Sequence, residues 1–378
     1  MISIIITFYD NQPMLSLVLE HLLPTLSSAN TEIIVVDDNP NRPLSGLRMP
    51  RDKVTIARPA ANLGYSGACN FGVDLAKGDR LVFLDSDAVP TPGWLNYLVQ
   101  TAKRIPTARA ISAKILDSST GKIVAFGAAI HGVDTIHPYR GAASDFPLTC
   151  SDCRFQLIPS GTMLIDRVLF DQVGRFDPTF RNAFGDFDLC MRLSRVKRPV
   201  YVSARAIVYH RGSVSGQVRH AHYPDTKALF FKKWAQELDY DGLRFLKAAC
   251  SLLKRRDRNT EKRYLAVNLS SSLFWEDYIE TAREALNLQL VQCYSLPANQ
   301  RNASHIRLED RLDWHTCRLQ VPILYFLDHF TALASNQFWF VHRAAKADIV
   351  IDRNGNVATS KAILEPLGWK KRKSAMVH

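Results

Sequence analysis

The sequence predicts an α/β fold in which a mainly parallel sheet is flanked by helices, followed by a mostly helical C-terminal extension. Over roughly the first 110 residues, short and nearly continuous apolar runs alternate with segments of helical period. Such runs are typical of strands in a parallel sheet that is covered on both faces. After Pro224 the apolar residues recur with helical period. We therefore expect two domains, residues 1–225 and residues 226–378.

The first predicted elements follow one another in a regular order. Strands are predicted at four apolar runs, residues 2–6, 32–36, 54–57 and 80–84. Helices are predicted between them at residues 13–26 and 67–76. The region from residue 114 to residue 155 mixes glycine, small residues and short apolar runs. We expect a few strands there and assign them no order.

The rest of the chain predicts more helices and one further strand. Five segments have helical period: residues 168–173, 185–193, 227–237, 242–254 and 273–291. In the second of these, Asp186 is a plausible N-cap and Asp188 lies in the first turn, where negative charge suits the helix dipole. Residues 200–209 form a strand-like run that ends next to His210.

The composition is that of an ordinary globular protein. With 378 residues, 47% of them hydrophobic and 22% charged, collagen-like, low-complexity and disordered classes are excluded. No basic segment precedes the first apolar run, so we expect no secretory signal and a cytoplasmic protein. Asp328 and His329 interrupt the most apolar late segment, so no membrane span is expected. The seven cysteines are then expected to be reduced.

Polar and acidic residues follow each predicted strand of the first domain. These segments are Thr7-Phe8-Tyr9-Asp10, Asp37-Asp38-Asn39, Asn62-Leu63-Gly64 and Asp85-Ser86-Asp87. In open α/β sheets, ligands bind at the carboxyl ends of the strands. The sequence therefore predicts a ligand site at one edge of the sheet.

Asp85 and Asp87 are candidate metal ligands. Two carboxylates one residue apart at a strand end can share a hard divalent cation, which typically also bridges phosphate oxygens. A turn with a capping aspartate before Pro90 is the alternative. The acids at 37–38 and the loop 62–67, whose backbone amides could approach a diphosphate, favour the metal.

A series of motifs occurs in the order seen in glycosyltransferase family 2. The motifs are Thr7-Phe8-Tyr9-Asp10, Val36-Asp37-Asp38-Asn39, Asn62-Leu63-Gly64 through Asn70-Phe71-Gly72, Phe83-Leu84-Asp85-Ser86-Asp87 with Pro92-Gly93-Trp94, Ser160-Gly161-Thr162-Met163-Leu164, Gly174-Arg175-Phe176-Asp177, Asp186-Phe187-Asp188-Leu189-Cys190-Met191-Arg192, and Tyr209-His210 with Ser213. Over residues 1–235 the chain resembles the rhamnosyl- and galactosyltransferase-like bacterial branch of that family.

The resemblance implies a GT-A fold and a nucleotide-diphosphate sugar donor, with UDP and dTDP both open. It places Thr7, Tyr9 and Asp38 at the nucleobase and ribose. Asn62 and Asn70 would lie near the donor.

The resemblance also implies a divalent cation, Mn²⁺ or Mg²⁺, as cofactor. Asp85 would contact both the ribose and the metal, Asp87 would bind the metal, and His210 would complete the metal shell. His210 could instead be an ordinary core or surface histidine.

For catalysis, the resemblance places Asp186 on the general base, and Asp188 is the second candidate. Both acids could instead cap their helix, with Asp188 and Arg192 forming an ion pair four residues apart. The chain departs from the family at Gly185, where the family has Glu, and at Asp10, where it has Asn. The missing Glu puts metal dependence and activity in question.

These residue types fit a single displacement that inverts the anomeric centre. A positioned carboxylate can remove the proton of an acceptor hydroxyl, and a cation can offset the charge that grows on a leaving diphosphate. The leading hypothesis is transfer to a glycan or lipid-linked acceptor during surface polysaccharide synthesis. The alternatives are a degenerate domain that binds a sugar nucleotide or a partner without turnover, and a nucleotidyltransferase. The latter's Gly-rich signature is missing after the first strand.

The net charge of +12 is concentrated towards the C-terminus. Residues 211–378 hold 26 Lys and Arg against 17 Asp and Glu. The basic runs at 254–258 and 370–373 form either a solvated face or a peripheral contact with an anionic inner membrane surface. We find no nucleic-acid-binding motif. The apolar residues 321–330 and 339–341 could form a self-association surface of a homo-oligomer.

Overall fold

The computed structural model divides the chain into two compact units. It describes residues 1–26, 30–47, 53–131, 134–210, 223–256, 263–269, 275–286, 289–295, 321–328, 339–340, 343, 346, 348–354 and 356–359. The first unit contains Met1–His137 and Ala142–Asp239, and the second contains Pro138–Gly141 and Tyr240–His378. Apart from residues 138–141, the second unit thus consists of the chain after residue 239, whereas the sequence predicted a boundary near 225. The difference arises because the helix at 223–234 belongs to the first unit.

The first unit is built on a ten-stranded sheet with helices against it. The strands of this unit are β1 Ile2–Phe8, β2 Thr31–Asp37, β3 Val54–Ala57, β4 Arg80–Asp85, β5 Ala88–Pro90, β6 Ala110–Asp117, β7 Ile123–Ala125, β8 Ala129–His131, β9 Asp134–Ile136, β10 Cys153–Phe155, β11 Thr162–Asp166 and β12 Val200–His210. Strands β8 and β9 form a separate hairpin, and the other ten form the sheet. Its helices are α1 Gln12–Thr25, α2 Gly64–Leu75, α3 Trp94–Arg104, α4 Arg167–Gln172, α5 Gly185–Arg195 and α6 Tyr223–Trp234.

The parallel part of the sheet forms the core. Strands β3, β2, β1 and β4 run side by side in the same direction. Ile4, Ile5 and Ile6 of β1 are fully buried, because β1 lies between two strands and both of its faces are covered. This is why β1 reads as a continuous apolar run rather than an alternating one. The predicted mixed, mainly parallel sheet flanked by helices is confirmed.

Beyond β4 the sheet becomes mixed. Strand β11 pairs antiparallel with both β4 and β6, and β12 pairs parallel with β6. The end of β12 also pairs antiparallel with β5, which brings His210 opposite Ala88. The segment that the sequence left without an order, residues 114–155, contains the end of β6 and four short strands.

The second unit contains a sheet of its own. Its strands are β13 Arg263–Asn268, β14 Gln289–Ser295, β15 Ile323–Leu327, β16 Ile349–Asp352 and β17 Val357–Thr359, and its helices are α7 Gly242–Arg256 and α8 Trp275–Leu286. The strand order is β14-β13-β15-β16-β17, and only β17 is antiparallel to its neighbour.

The sequence predicted a mostly helical C-terminal extension and did not predict this sheet, whose five strands accompany two helices in the described residues. The predicted helix at 273–291 is helical only over α8, and strand β14 begins at Gln289. The apolar run at 323–327 is the fully buried strand β15, and Trp339 and Phe340 are also fully buried. These described residues belong to the core of the second unit, and the predicted homo-oligomer stays a prediction. A short apolar run does not distinguish a buried strand from a buried helix by period alone.

None of the described helices is long and apolar enough to span a membrane. Of the two basic runs, residues 254–256 end α7, whereas residues 257, 258 and 370–373 lie outside the described residues.

Candidate active site

The ends of β1, β2 and β4 are aligned by strand register. Thr7 of β1 pairs with Asp85 of β4, and Phe8 pairs with Asp37 of β2. The backbone N–H of Asp38 then donates to the carbonyl of Phe8 at 2.8 Å. The acidic residues at the ends of β2 and β4 thus lie beside the end of β1, at the same edge of the sheet.

Two carboxylates and one imidazole form a cluster at this edge. Ligand atoms of Asp85, Asp87 and His210 all lie within 4.8 Å of one another. The distance from His210 Nε2 to Asp87 Oδ2 is 3.2 Å, and both side chains are largely buried. The pairing of His210 with Ala88 across β12 and β5 brings the imidazole next to the two acids. Two carboxylates and an imidazole suit a divalent first-row cation such as Mn²⁺.

Asp85 packs directly against Gly161. The backbone N–H of Asp85 donates to the Gly161 carbonyl at 2.9 Å. A Cβ atom added to Gly161 would overlap the Asp85 carboxylate. Glycine at this position is therefore a steric requirement of the acidic cluster.

Asp38 organises the loop that leads into α2. Its Oδ1 accepts the N–H of Leu63 at 2.7 Å, and its Oδ2 accepts the N–H of Gly64 and the Asn62 side chain at 2.8 Å each. Burial raises the pKa of the Asp38 carboxyl, and the two backbone hydrogen bonds oppose that rise. Both carboxylate oxygens are engaged within the protein.

The other predicted donor-binding residues differ in their surroundings. Tyr9 is 42% exposed, and its carbonyl accepts the Asn39 side-chain amide at 2.7 Å. Asn70 bonds at both ends of its amide to the backbone of Phe176, at 2.8 and 3.2 Å. Asn70 thereby fastens α2 to the segment that precedes α5, while the Tyr9 side chain is accessible at the edge of the sheet.

The two candidate bases lie in different environments at the start of α5. Asp186 is partly exposed, and its Oδ2 accepts the backbone N–H of Ser160 at 3.2 Å. The Asp188 side chain is fully buried, and it accepts from Arg192 Nε at 2.8 Å and from Trp234 Nε1 at 3.0 Å. It also pairs with Lys233 Nζ at 2.7 Å. Asp188 therefore links α5 to α6.

Gly185, the residue before Asp186, is closely packed. A Cβ atom at this position would lie 2.5 Å from the Ser66 hydroxyl oxygen and 3.3 Å from the Phe180 carbonyl oxygen. The Ser66 hydroxyl itself donates to the Phe180 carbonyl at 2.6 Å. Ser66 therefore occupies the space that a larger residue at 185 would need.

Ser160 and Tyr65 were not assigned a role from the sequence. The Ser160 hydroxyl donates to the Tyr65 hydroxyl oxygen at 2.9 Å, while its backbone N–H reaches Asp186. In the sequence, Ser160 belongs to one of the family motifs and to a pair of small residues beside an apolar strand. Small residues predict close packing but do not name the neighbour.

A mainly parallel sheet with two carboxylates and an imidazole at its ligand-binding edge defines an α/β domain with a candidate divalent-cation site. Residues 3–122 match the model of the family described as Glycosyl transferase family 2. This match covers about a third of the chain and lies within the first unit, and the mixed sheet flanked by helices that the resemblance implies agrees with the strands observed. The more specific bacterial branch stays a prediction.

Curated relatives have related names. The O-antigen biosynthesis protein RfbC of Myxococcus xanthus is 27% identical over 227 residues, which cover 57% of this chain and 17% of that protein. The uncharacterized glycosyltransferase YwdF of Bacillus subtilis is 29% identical over 212 residues, covering 55% of this chain and 73% of that protein. The chain spans only 17% of the length of RfbC and 27% of the length of another relative, the uncharacterized protein y4gI of Sinorhizobium fredii.

Solved structures with low sequence identity were also matched. GalNAc-T7 with UDP, GalNAc and Mn²⁺ has a TM-score of 0.49 at 16% identity, covering 76% of this chain and 55% of that one. The mannosyltransferase PcManGT of Pyrobaculum calidifontis, in complex with GDP-Man and Mn²⁺, has a TM-score of 0.44 at 15% identity, covering 63% and 65% of the two chains.

The different surroundings of the two acids predict different effects on stability. Replacement Asp188→Asn should lower the free energy of unfolding by on the order of 3 kcal/mol, because it leaves Arg192 and Lys233 without a buried negative partner. Asp186→Asn, the matched control on the same helix turn, should change it by less than about 1 kcal/mol. Urea unfolding of both variants measures this. Equal stabilities would contradict the structural role of Asp188.

Proposed function

We propose that the protein is an inverting, metal-dependent glycosyltransferase that uses a UDP- or dTDP-linked hexose or deoxyhexose. The acceptor is a hydroxyl of a glycan or a lipid-linked sugar in surface polysaccharide synthesis. The observation that carries the proposal is the grouping of Asp85, Asp87 and His210, with Asp186 connected to it through Ser160 and Gly161. The match of residues 3–122 to the family model supports glycosyl transfer as the reaction class.

The divalent cation would be held by Asp85, Asp87 and His210. Their ligand atoms are close enough together to share one ion. Hard oxygen ligands suit both Mg²⁺ and Mn²⁺, and the imidazole favours Mn²⁺. When bound there, such an ion supplies positive charge that offsets the negative charge on the departing diphosphate.

The donor would lie along the ends of β1, β2 and β4. Thr7 pairs with Asp85, and the exposed ring of Tyr9 is available for a nucleobase. We assign Asp38 and Asn62 an indirect role in this site, because their bonds hold the loop at residues 62–64 in place. Asn70 would support the donor site more indirectly, because its bonds to the Phe176 backbone fasten α2 to the segment before α5.

Asp186 is the proposed general base. The acceptor oxygen forms a bond to the anomeric carbon, the bond from that carbon to the diphosphate oxygen breaks, and the acceptor proton passes to the Asp186 carboxylate. The leaving nucleoside diphosphate takes the electron pair of the broken bond, so one displacement inverts the anomeric centre. Asp188 is the weaker candidate for the base, since its side chain is fully buried and paired with Arg192 and Lys233, whereas Asp186 is partly exposed.

The second candidate function is a domain that binds a sugar nucleotide or a partner without turnover. Gly185 favours it, because a carboxylate that the family usually carries beside the base is missing. Donor binding without donor consumption, with any acceptor, would support this function.

A panel of nucleotide sugars, with and without Mn²⁺, tests the donor and the metal together. We expect Mn²⁺-dependent thermal stabilisation by UDP- or dTDP-sugars, with slow release of free nucleotide. Asp87→Ala should abolish both effects, because it removes one of three metal ligands. A stabilisation that is unchanged by chelation or by Asp87→Ala would refute the metal site, and no stabilisation by any donor would refute donor binding.

Replacement of the proposed base separates chemistry from binding. Asp186→Asn keeps the size of the side chain but cannot accept the proton, so transfer should fall by on the order of 100-fold or more. Donor affinity, measured by calorimetry, should stay within about two-fold, since Asn can still accept the Ser160 N–H. A fully active variant would exclude Asp186 as the base.

We also propose that the enzyme works in the cytoplasm with a peripheral hold on the inner membrane surface through its basic C-terminal runs. The full chain should sediment with phosphatidylglycerol-containing vesicles at low salt and be released at high salt, because screening weakens surface electrostatics. Uncharged phosphatidylcholine vesicles and a variant with alanine at 370–373 are the controls. Failure to sediment at low salt would end this proposal.

A further inference from the structure

The Tyr65 hydroxyl is hydrogen-bonded to the segment that contacts Asp85 and Asp186 in the candidate active site. Tyr65 is near the start of α2, and its ring packs edge-on against Phe176 with centroids 6.0 Å apart. Burial of the hydroxyl raises the pKa of Tyr65 well above its ordinary value, so it stays protonated at neutral pH. Tyr65 is thus held by the backbone of α2 and by the contact of its ring with Phe176.

On its other side, the Tyr65 hydroxyl oxygen accepts the hydroxyl of Ser160 at 2.9 Å. Ser160 is almost fully buried, and its backbone N–H donates to Asp186 at 3.2 Å. The next residue, Gly161, accepts the backbone N–H of Asp85 at 2.9 Å and leaves no space for a side chain against its carboxylate. The dipeptide at 160–161 therefore touches both the proposed base and a proposed metal ligand.

The dipeptide is fixed at both ends. Beyond Gly161, the Thr162 hydroxyl lies 2.8 Å from the Ser112 hydroxyl and accepts the Ala113 N–H at 3.2 Å, which secures the start of β11 to β6. At the Ser160 end, the Ser160 hydroxyl donates to the Tyr65 hydroxyl oxygen on α2.

We propose that Tyr65 is a positioning residue that sets the separation of Asp186 from Asp85 by holding the Ser160–Gly161 dipeptide. The inference rests on the proposed function for its catalytic consequence. Positioned groups are sensitive to small displacements, and a shift of about 1 Å can cost on the order of 100-fold in rate. The residue itself takes no part in bond making or proton transfer.

The test is a double-mutant cycle on the Tyr65–Ser160 hydrogen bond. Tyr65→Phe and Ser160→Ala each remove one partner of the bond, so each should lower kcat by on the order of 10-fold, with the KM for the donor within about two-fold. The double variant should be no slower than either single variant, because all three lack the same interaction. Tyr325→Phe is the matched control: it removes a hydroxyl that hydrogen-bonds Asp348 in the second unit, and kcat should not change.

A readout independent of activity keeps this inference separate from the proposed function. In the free protein, Tyr65→Phe should speed amide hydrogen exchange in the 158–162 segment and weaken Mn²⁺ binding, and Tyr325→Phe should do neither. A wild-type protein that is inactive with every donor refutes the proposed function, and exchange and Mn²⁺ binding then decide the inference. Unchanged exchange in Tyr65→Phe, additive losses in the cycle, or a loss confined to KM would overturn it.

Discussion

The pairing of β12 with β5 is the interaction on which the candidate site depends. It places His210 opposite Ala88, one residue after Asp87, and so brings an imidazole at the end of β12 to Asp85, which ends β4, and to Asp87. Parallel pairing of β12 with β6 determines where the strand runs, and its final residues then reach β5. A shift of one residue in this register would turn the imidazole to the other face of the sheet. The geometry of the cluster therefore depends on the register of the hydrogen bonds between β12 and β5.

Much of the sheet and of the acidic edge could be predicted from the sequence because both depend on local patterns. Buried parallel strands read as continuous apolar runs, and the polar residues that follow them must lie at one edge. His210 was predicted as the residue that ends a strand-like run, and the register confirms its place at the end of β12. Family motifs added the order of the segments, which no periodicity provides.

The roles of the two acids on α5 could not be separated from the sequence, because they depend on contacts from a distant helix. Lys233 and Trp234 of α6 both reach Asp188, and nothing in the sequence near residue 188 shows this. The second unit illustrates the same limit. Its strand β15 is a short apolar run in the middle of a sheet, and only its partners β13 and β16 distinguish it from a buried helix.

Close packing at Gly161 and Gly185 leaves no space for a side chain at either position. Position 185 is the one at which the resemblance to the family implies a Glu. Each glycine faces a polar group at a distance that excludes a side chain: the Asp85 carboxylate for Gly161 and the Ser66 hydroxyl for Gly185. The close approach at Gly185 brings the first turn of α5 against Ser66 of α2, and the residue directly before Asp186 carries no acid. Negative charge on Asp186 is favoured at this end of the helix by the helix dipole, and an adjacent carboxylate would oppose it. Glycine at 185 is thus compatible with the proposed role of Asp186, and it lets the start of α5 pack closely against Ser66 of α2.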